Sequence, residues 1–253
     1  MFVHHDIPLP AFPLCLSHGD IGPTGNAGNY CAVGTFGPGI EIWNLDVLNA
    51  LEPSCILGGE DTTMADEIMR HNMMNSQQMA GQRHNNMPGG GNPSSSLKPG
   101  SHSDAVMALS WNTVHRQVIA SGSADCTVKL WDVTQSNAPD KACASTLTHH
   151  KDKVQSVLWH PSEGTLLATG SYDRTVALVD ARAANDASSI KTAKIPADCE
   201  ALAWDPHNTQ NLTAACEDGT VMCWDVRKFT DKTPLWSIVA SEFGGVSDLS
   251  YNT

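Results

Sequence analysis

The chain has 253 residues, of which 41% are hydrophobic and 17% charged, a balance that supplies a buried core and excludes global disorder. Its 27 acidic and 15 basic residues leave a net charge of -12, and without a basic footprint to neutralise phosphates direct nucleic-acid binding by this stretch is disfavoured. No window approaches the roughly 18 apolar residues of a membrane span, and Met1-Phe2-Val3-His4-His5-Asp6 lacks the basic start and apolar run of a signal peptide, so an intracellular protein without membrane contact is expected.

From the N-terminus, Ala11 to Leu16 is a candidate first strand, followed by Asn29-Tyr30-Cys31-Ala32-Val33-Gly34-Thr35 and Ile40-Glu41-Ile42-Trp43-Asn44. The turn between the last two, Phe36-Gly37-Pro38-Gly39, contains no Asp. Residues 59–100 then break the strand pattern with Met73-Met74-Asn75-Ser76-Gln77-Gln78-Met79 and Pro88-Gly89-Gly90-Gly91-Asn92-Pro93. Such a stretch cannot assemble a core and reads as a low-complexity, disordered insert. A Met-rich helix over Asp61 to Gln82, docking on a partner, is the alternative to a plain linker.

After the insert the chain repeats. Ala105-Val106-Met107-Ala108-Leu109-Ser110-Trp111-Asn112, Val154-Gln155-Ser156-Val157-Leu158-Trp159-His160 and Glu200-Ala201-Leu202-Ala203-Trp204-Asp205 each alternate small or apolar residues and end on Trp plus a polar residue. The three Trp residues are spaced by 48 and 45 positions. Each copy continues into a second apolar run ending in a turn Asp (Asp125, Asp173, Asp218) and then a third run: Thr127 to Asp132, Thr175 to Asp180 and Thr220 to Asp225. Two β-branched runs joined by a turn whose Asp can bond its own backbone predict a tight hairpin. Short strands at a period near 45 fit one four-stranded blade of a β-propeller, and such blades must stack to bury both faces. Asn29 to Asn44, with Ala11 to Leu16 as its candidate first strand, reads as a divergent earlier copy, and Gly245 to Asn252 resembles the first strand of a fifth. The expected fold is therefore an all-β WD40 propeller of about four blades plus the first strand of a fifth. Its ring is incomplete in this chain, which reads as a fragment or incomplete gene model. The expected divisions are residues 1–58 (divergent blade), 59–100 (insert) and 101–253 (blades two to four and the start of five).

Several residues invite a chemical reading. His102, Ser121 or Ser123, Asp125 and Trp131 contain the members of a hydrolytic triad. They recur imperfectly at blade spacing, which a catalytic set would not do. Blade three keeps His150 and Asp173 but has Val179 in place of Trp, while blade four keeps Asp218 and Trp224 without the His. These residues are expected to be structural, a buried hydrogen-bonded chain tying strands together. His4-His5-Asp6 is a poor metal site, because adjacent residues on a strand point to opposite faces. The eight cysteines include no Cys-x-x-Cys pair and are expected to be reduced packing residues, with Cys216 and Cys223 on neighbouring strands of one hairpin. No phosphate loop, nucleophile elbow or zinc-protease motif is present. No enzyme activity, cofactor or metal is expected. Candidate protein contacts are Lys151, Lys153 and Arg174 near strand-joining turns, together with Arg182 and Arg227.

Two resemblances extend this reading. Trp224-Asp225-Val226-Arg227, with its degenerate copy Val179-Asp180-Ala181-Arg182, resembles the box with which some WD40 proteins dock on the adaptor of cullin-4 ubiquitin ligases, which would make the chain a substrate receptor. More of the chain, from Val3-His4-His5-Asp6-Ile7-Pro8-Leu9-Pro10 through Tyr30 to Leu57, His102-Ser103-Asp104-Ala105-Val106 and Ser171-Tyr172-Asp173-Arg174-Thr175-Val176-Ala177-Leu178, resembles the periodic tryptophan protein 1 family. That resemblance implies a non-catalytic scaffold in the nucleus and nucleolus, acting in ribosome biogenesis on large-subunit precursors and rRNA maturation. It implies pre-ribosomal assembly factors as partners and an association with chromatin. The family's insert is often Lys-rich, whereas this one is polar, Met-rich and Gly-rich.

Overall fold

A computed structural model describes residues 6–61, 96–184, 186–231 and 233–252. Its strands fall into four antiparallel sheets of four, each wound in sequence order. The first sheet contains β1 (Pro13–Ile21), β2 (Ala27–Thr35), β3 (Gly39–Asn44) and β4 (Cys55–Gly58). The second contains β5 (Val106–Trp111), β6 (Val118–Ser123), β7 (Val128–Asp132) and β8 (Cys143–Leu147). The third contains β9 (Val154–Trp159), β10 (Leu166–Ser171), β11 (Thr175–Asp180) and β12 (Lys191–Lys194), and the fourth β13 (Cys199–Trp204), β14 (Asn211–Cys216), β15 (Thr220–Asp225) and β16 (Trp236–Val239). The first strands β1, β5, β9 and β13 pack side by side, so they are innermost and the fourth strands lie outermost. This is the blade architecture of an incomplete WD40 propeller. The first strand of blade one begins two residues later than expected and runs on to Ile21. Cys216 and Cys223 do lie on neighbouring strands, but Cys216 stands opposite Cys199 and Cys223 opposite Thr213.

Apolar clusters form between blades one and two, two and three, and three and four. The blades approach closely because the second strand carries a small residue where the next inner strand crosses. A Cβ on Gly122 would come within 2.7 Å of Val154, and one on Gly170 within 2.3 Å of the Cys199 sulfur. Such contacts would force the sheets apart.

Residues 245–252 make no ladder, having no second strand beside them among the described residues. Even so, Val246 and Leu249 pack on Ala201, Ala215 and Val221 of blade four, and the Tyr251 hydroxyl bonds Thr213. Val246 thus takes the place that Val154 takes against Gly122, with Tyr251 at the inner-strand Trp position. Among the described residues the flank beyond blade four is otherwise uncovered. The β8 and β12 residues Leu147 and Ala193 are 2% and 1% exposed, whereas Ile238 at the equivalent place on β16 is 52% exposed.

Most of the insert, including nearly all of the candidate Asp61–Gln82 helix, lies outside the described residues, as do His4 and His5. The ends of the insert are described and pair with each other. Glu60 bridges Leu97, and the Lys98 amide donates to the Gly59 carbonyl at 2.9 Å. The insert therefore leaves and rejoins blade one at a single point. No helix among the described residues is long and apolar enough to cross a membrane.

Candidate functional site

In blade two the loop before β5 brings His102 over the sheet, β6 contributes Ser121, the hairpin turn Asp125, and β7 Trp131. Trp131 Nε1 donates to Ser121 Oγ at 2.7 Å, Ser121 Oγ lies 2.7 Å from His102 Nε2, and His102 Nδ1 lies 2.9 Å from Asp125 Oδ2. Donors and acceptors run in one direction. The indole can only donate and a carboxylate can only accept, so the Ser121 proton points to His102 Nε2 and the imidazole proton sits on Nδ1. Burial pushes the His102 pKa down, which keeps the ring neutral. Burial alone would raise the Asp125 carboxyl, but hydrogen bonds from His102 and Thr127 outweigh it and hold the group far below the usual carboxylate range.

The spacings are those of a Ser-His-Asp triad, but His102, Ser121 and Trp131 are fully buried. The indole N–H occupies the serine oxygen that would attack a substrate, so these three residues cannot reach one. What the chain does chemically is satisfy polar groups from the loop, β6, the turn and β7 at once.

Blade three builds a related chain with different members. His150 Nδ1 lies 3.0 Å from Asp173 Oδ2, and His150 Nε2 lies 2.8 Å from the Thr169 hydroxyl. In blade four the expected set does not form. Among the described residues Asp218 accepts only its own turn's Thr220 amide, at 2.9 Å, and Trp224, 1% exposed, has an Nε1 without a hydrogen-bond partner. The reason is two substitutions: Ala214 stands at the Ser121 position and Ile195 at the His102 position, so an apolar pair replaces the polar link. In blade one Trp43 Nε1 instead donates to Glu41 at 2.9 Å.

Sequence reasoning missed the threonine two residues after each turn Asp. Thr127 Oγ1 donates to Asp125 and Thr175 Oγ1 to Asp173, both at 2.6 Å. It also missed a second fastening at the other end of the strands, although the Trp-plus-polar ending was visible. The Asn112 side-chain oxygen accepts the amides of Val114 and His115 at 2.9 and 2.8 Å. Its amide donates to the Gly164 carbonyl of the next blade at 2.6 Å. His160 Nε2 likewise meets the Thr209 carbonyl of blade four at 2.8 Å. These residues clasp successive blades.

The candidate contact residues separate onto two ends of the strands. Lys151 and Lys153 are exposed between β8 and β9, and Arg174 lies beside them in the β10–β11 turn. Arg174 has φ 61° and makes an ion pair of 3.4 Å with Asp198. Asp104, Asp152, Glu217 and Asp218 are exposed at the same end, so this face is of mixed charge rather than basic. Arg182 and Arg227 lie at the opposite end. Each spends its guanidinium fork on the Asp two residues earlier, Arg182 on Asp180 and Arg227 on Asp225. Arg227 also borders a cavity of about 410 Å³ between blades three and four, floored by Leu166, Leu178 and Val226. All eight cysteines are free; Cys199, Cys216 and Cys223 are buried and the other five partly so. Among the described residues no group of His, Cys, Asp or Glu is placed to hold a metal.

Comparison with known proteins places this architecture. The "WD domain, G-beta repeat" family matches residues 91–132, 141–180 and 191–225, which correspond to blades two to four. An uncharacterized WD repeat-containing protein of Schizosaccharomyces pombe is 42% identical over 255 residues, covering 100% of this chain and 43% of that protein. Periodic tryptophan protein 1 of Saccharomyces cerevisiae is 34% identical over 256 residues, covering 100% of this chain and 41% of the relative. The Drosophila melanogaster homolog is 34% identical over 252 residues, covering 97% and 46%. The chain spans less than half the length of these relatives. The similarity runs through blade one, which the repeat signature does not reach, and so is not owed to generic blade residues alone. The chain belongs to the periodic tryptophan protein 1 family of WD40-repeat proteins.

Proposed function

We propose that the chain is a non-catalytic protein-interaction scaffold in ribosome biogenesis, acting with assembly factors on large-subunit precursors and rRNA maturation in the nucleolus. The observation that carries the scaffold half is the fate of the polar residues. The groups that resemble a catalytic set are consumed inside blade two, while the charged groups of the inter-blade loops stay exposed. The ribosomal half rests on family membership. In this reading residues 1–58 and 101–253 form the interaction platform, residues 59–100 are a linker, and Lys151, Lys153 and Arg174 contact a partner segment. An excess of 27 acidic over 15 basic residues supports protein rather than nucleic acid as the direct contact, with any association with chromatin made through partners. No specific observation favours docking to a cullin-4 adaptor through Arg227, whose fork is already bonded to Asp225.

The test is co-sedimentation of the tagged chain, expressed in eukaryotic cells, with ribosomal precursors on a gradient. Comigration with large-subunit precursors is expected. Migration only as free protein, or comigration abolished by Arg227→Ala but not by loop substitutions, would overturn the reading.

A further inference from the structure

Blade three lacks the tryptophan that closes the polar chain of blade two, because Val179 stands at the Trp131 position. Its central hydroxyl is nevertheless shared between two rings. Thr169 Oγ1 lies 2.8 Å from His150 Nε2 and 3.0 Å from His149 Nε2. The second contact is the one Trp131 Nε1 makes to Ser121 in blade two. His149 comes from the loop rather than from the third strand, and its ring lies 4.2 Å from that of His150 at an angle of 45°. His149 Nδ1 is buried with no hydrogen-bond partner among the described residues.

We infer that His149 replaces the missing tryptophan, donating from Nε2 to Thr169 and pinning the loop between β8 and β9 to the centre of blade three.

The donor order supports the assignment. Asp173 can only accept, so the proton of neutral His150 sits on Nδ1 and its Nε2 accepts from Thr169. The free lone pair of Thr169 then requires a donor, which His149 supplies as its Nε2–H tautomer. That tautomer leaves Nδ1 bare, and a bare nitrogen without a partner is what the structure contains. The titratable and charged neighbours acting on His149 are His150 and Asp173. Burial, with His150 adding to it and Asp173 opposing it, lowers the His149 pKa to about 4 and keeps the ring neutral at pH 7. The consequence is an anchor with two fastenings one residue apart. It sits directly before Lys151, whose amide donates to Asp173 at 2.9 Å. His149 is thus a positioning residue for the loop that carries Lys151 and Lys153, a role that rests on the partner reading above. The hydrogen-bond assignment itself does not rest on it.

Two measurements on the 253-residue chain need no partner, so their failure and the failure of the partner reading are distinguishable. Long-range nitrogen–proton spectra of the histidine rings should show His149 as the Nε2–H tautomer, constant from pH 7 to 8, beside an Nδ1–H tautomer at His150. An Nδ1–H tautomer at His149, or titration near pH 6.5 as in a solvated ring, would overturn the inference. In a double-mutant cycle read by urea unfolding, His149→Ala should lower the folding equilibrium constant about fivefold or more, the worth of roughly one buried hydrogen bond. Val179→Trp should also destabilise, since the ring has no room beside His149. The pair together should recover at least half of the His149→Ala loss, because the indole restores the donor to Thr169. Strict additivity of the two effects would overturn the inference. If His149→Ala does not fold, His149→Gln should, since its amide can make the same donation, and a Gln variant that also fails to fold would count against the assignment.

Discussion

Replacing Ser121 with alanine removes a single oxygen but breaks two buried hydrogen bonds. Trp131 Nε1 loses its acceptor and His102 Nε2 its donor, both at 2.7 Å, and both residues are 0% exposed. Each orphaned polar atom costs about 1–3 kcal/mol, and water cannot reach either one. The expected loss is therefore about 2–6 kcal/mol, a large share of the roughly 5–15 kcal/mol that stabilises an ordinary domain. Urea unfolding followed by circular dichroism would show a lower midpoint at unchanged slope. Adding Trp131→Phe removes one orphan, so the double variant should lose less than the sum of the two single variants. A loss for Ser121→Ala below about 1 kcal/mol, or simple additivity with Trp131→Phe, would refute the argument that this chain of polar groups ties the blade.

The opposite substitution is expected to help in blade four, where Ala214→Ser would give the orphaned Trp224 Nε1 an acceptor and raise stability by about 0.5–1.5 kcal/mol in the same assay. Cys126→Gly should also stabilise. Cys126 sits at φ 67°, where blade four has Gly219 at φ 84°, and the left-handed region costs a non-glycine residue about 1–2 kcal/mol against roughly 0.5–1 for the added freedom of glycine. The net gain should be about 0.5–1 kcal/mol, and a loss would count against the strain assignment. Acidification should act in two stages. The unfolded chain takes up a proton on His149 near pH 6.5, but the folded chain does not until about pH 4. Stability is therefore full above pH 6.5 and declines from there to about 4. Asp125 and Asp173 are held far below the ordinary 3.8, so their contribution is present above that value and lost as pH falls further. Midpoints measured from pH 8 to 3 check this, and His149→Gln should weaken the first stage, to which the buried His102 also contributes, while sparing the second.

Blade identity was legible where sequence spacing is dictated by geometry. The interval of six residues from turn Asp to Trp follows from a tight hairpin that returns the third strand past the second, and it located β6–β7, β10–β11 and β14–β15. The blade-two chain was legible for the same reason, since His102, Ser121, Asp125 and Trp131 all sit at positions fixed by the repeat. Substitution across blades was harder to see. His149 takes a role that the repeat assigns to a different strand, and no spacing rule connects a loop residue to a third-strand Trp. The failure of blade four was partly visible in the absence of a His, but Ala214 looks like any small strand residue until Trp224 is seen beside it without a partner. The inter-blade clasps at Asn112 and His160 depend on carbonyls about 50 residues away, contacts that a local pattern cannot register. The two-ended distribution of the basic residues also became clear only in three dimensions. Lys151 and Arg227 look alike in sequence but lie at opposite ends of the strands.

In the proposed function the chain presents exposed loops to large-subunit assembly factors while its buried polar groups hold the blades. The most direct measurement is quantitative affinity capture from eukaryotic cells of the unaltered chain beside a Lys151→Glu, Lys153→Glu variant, both shown to be folded by their unfolding midpoints. Large-subunit assembly factors should be enriched by the unaltered chain and reduced about tenfold or more by the variant, as expected when two charge contacts become repulsive. Enrichment of no assembly factor, or equal enrichment by both proteins, would contradict it.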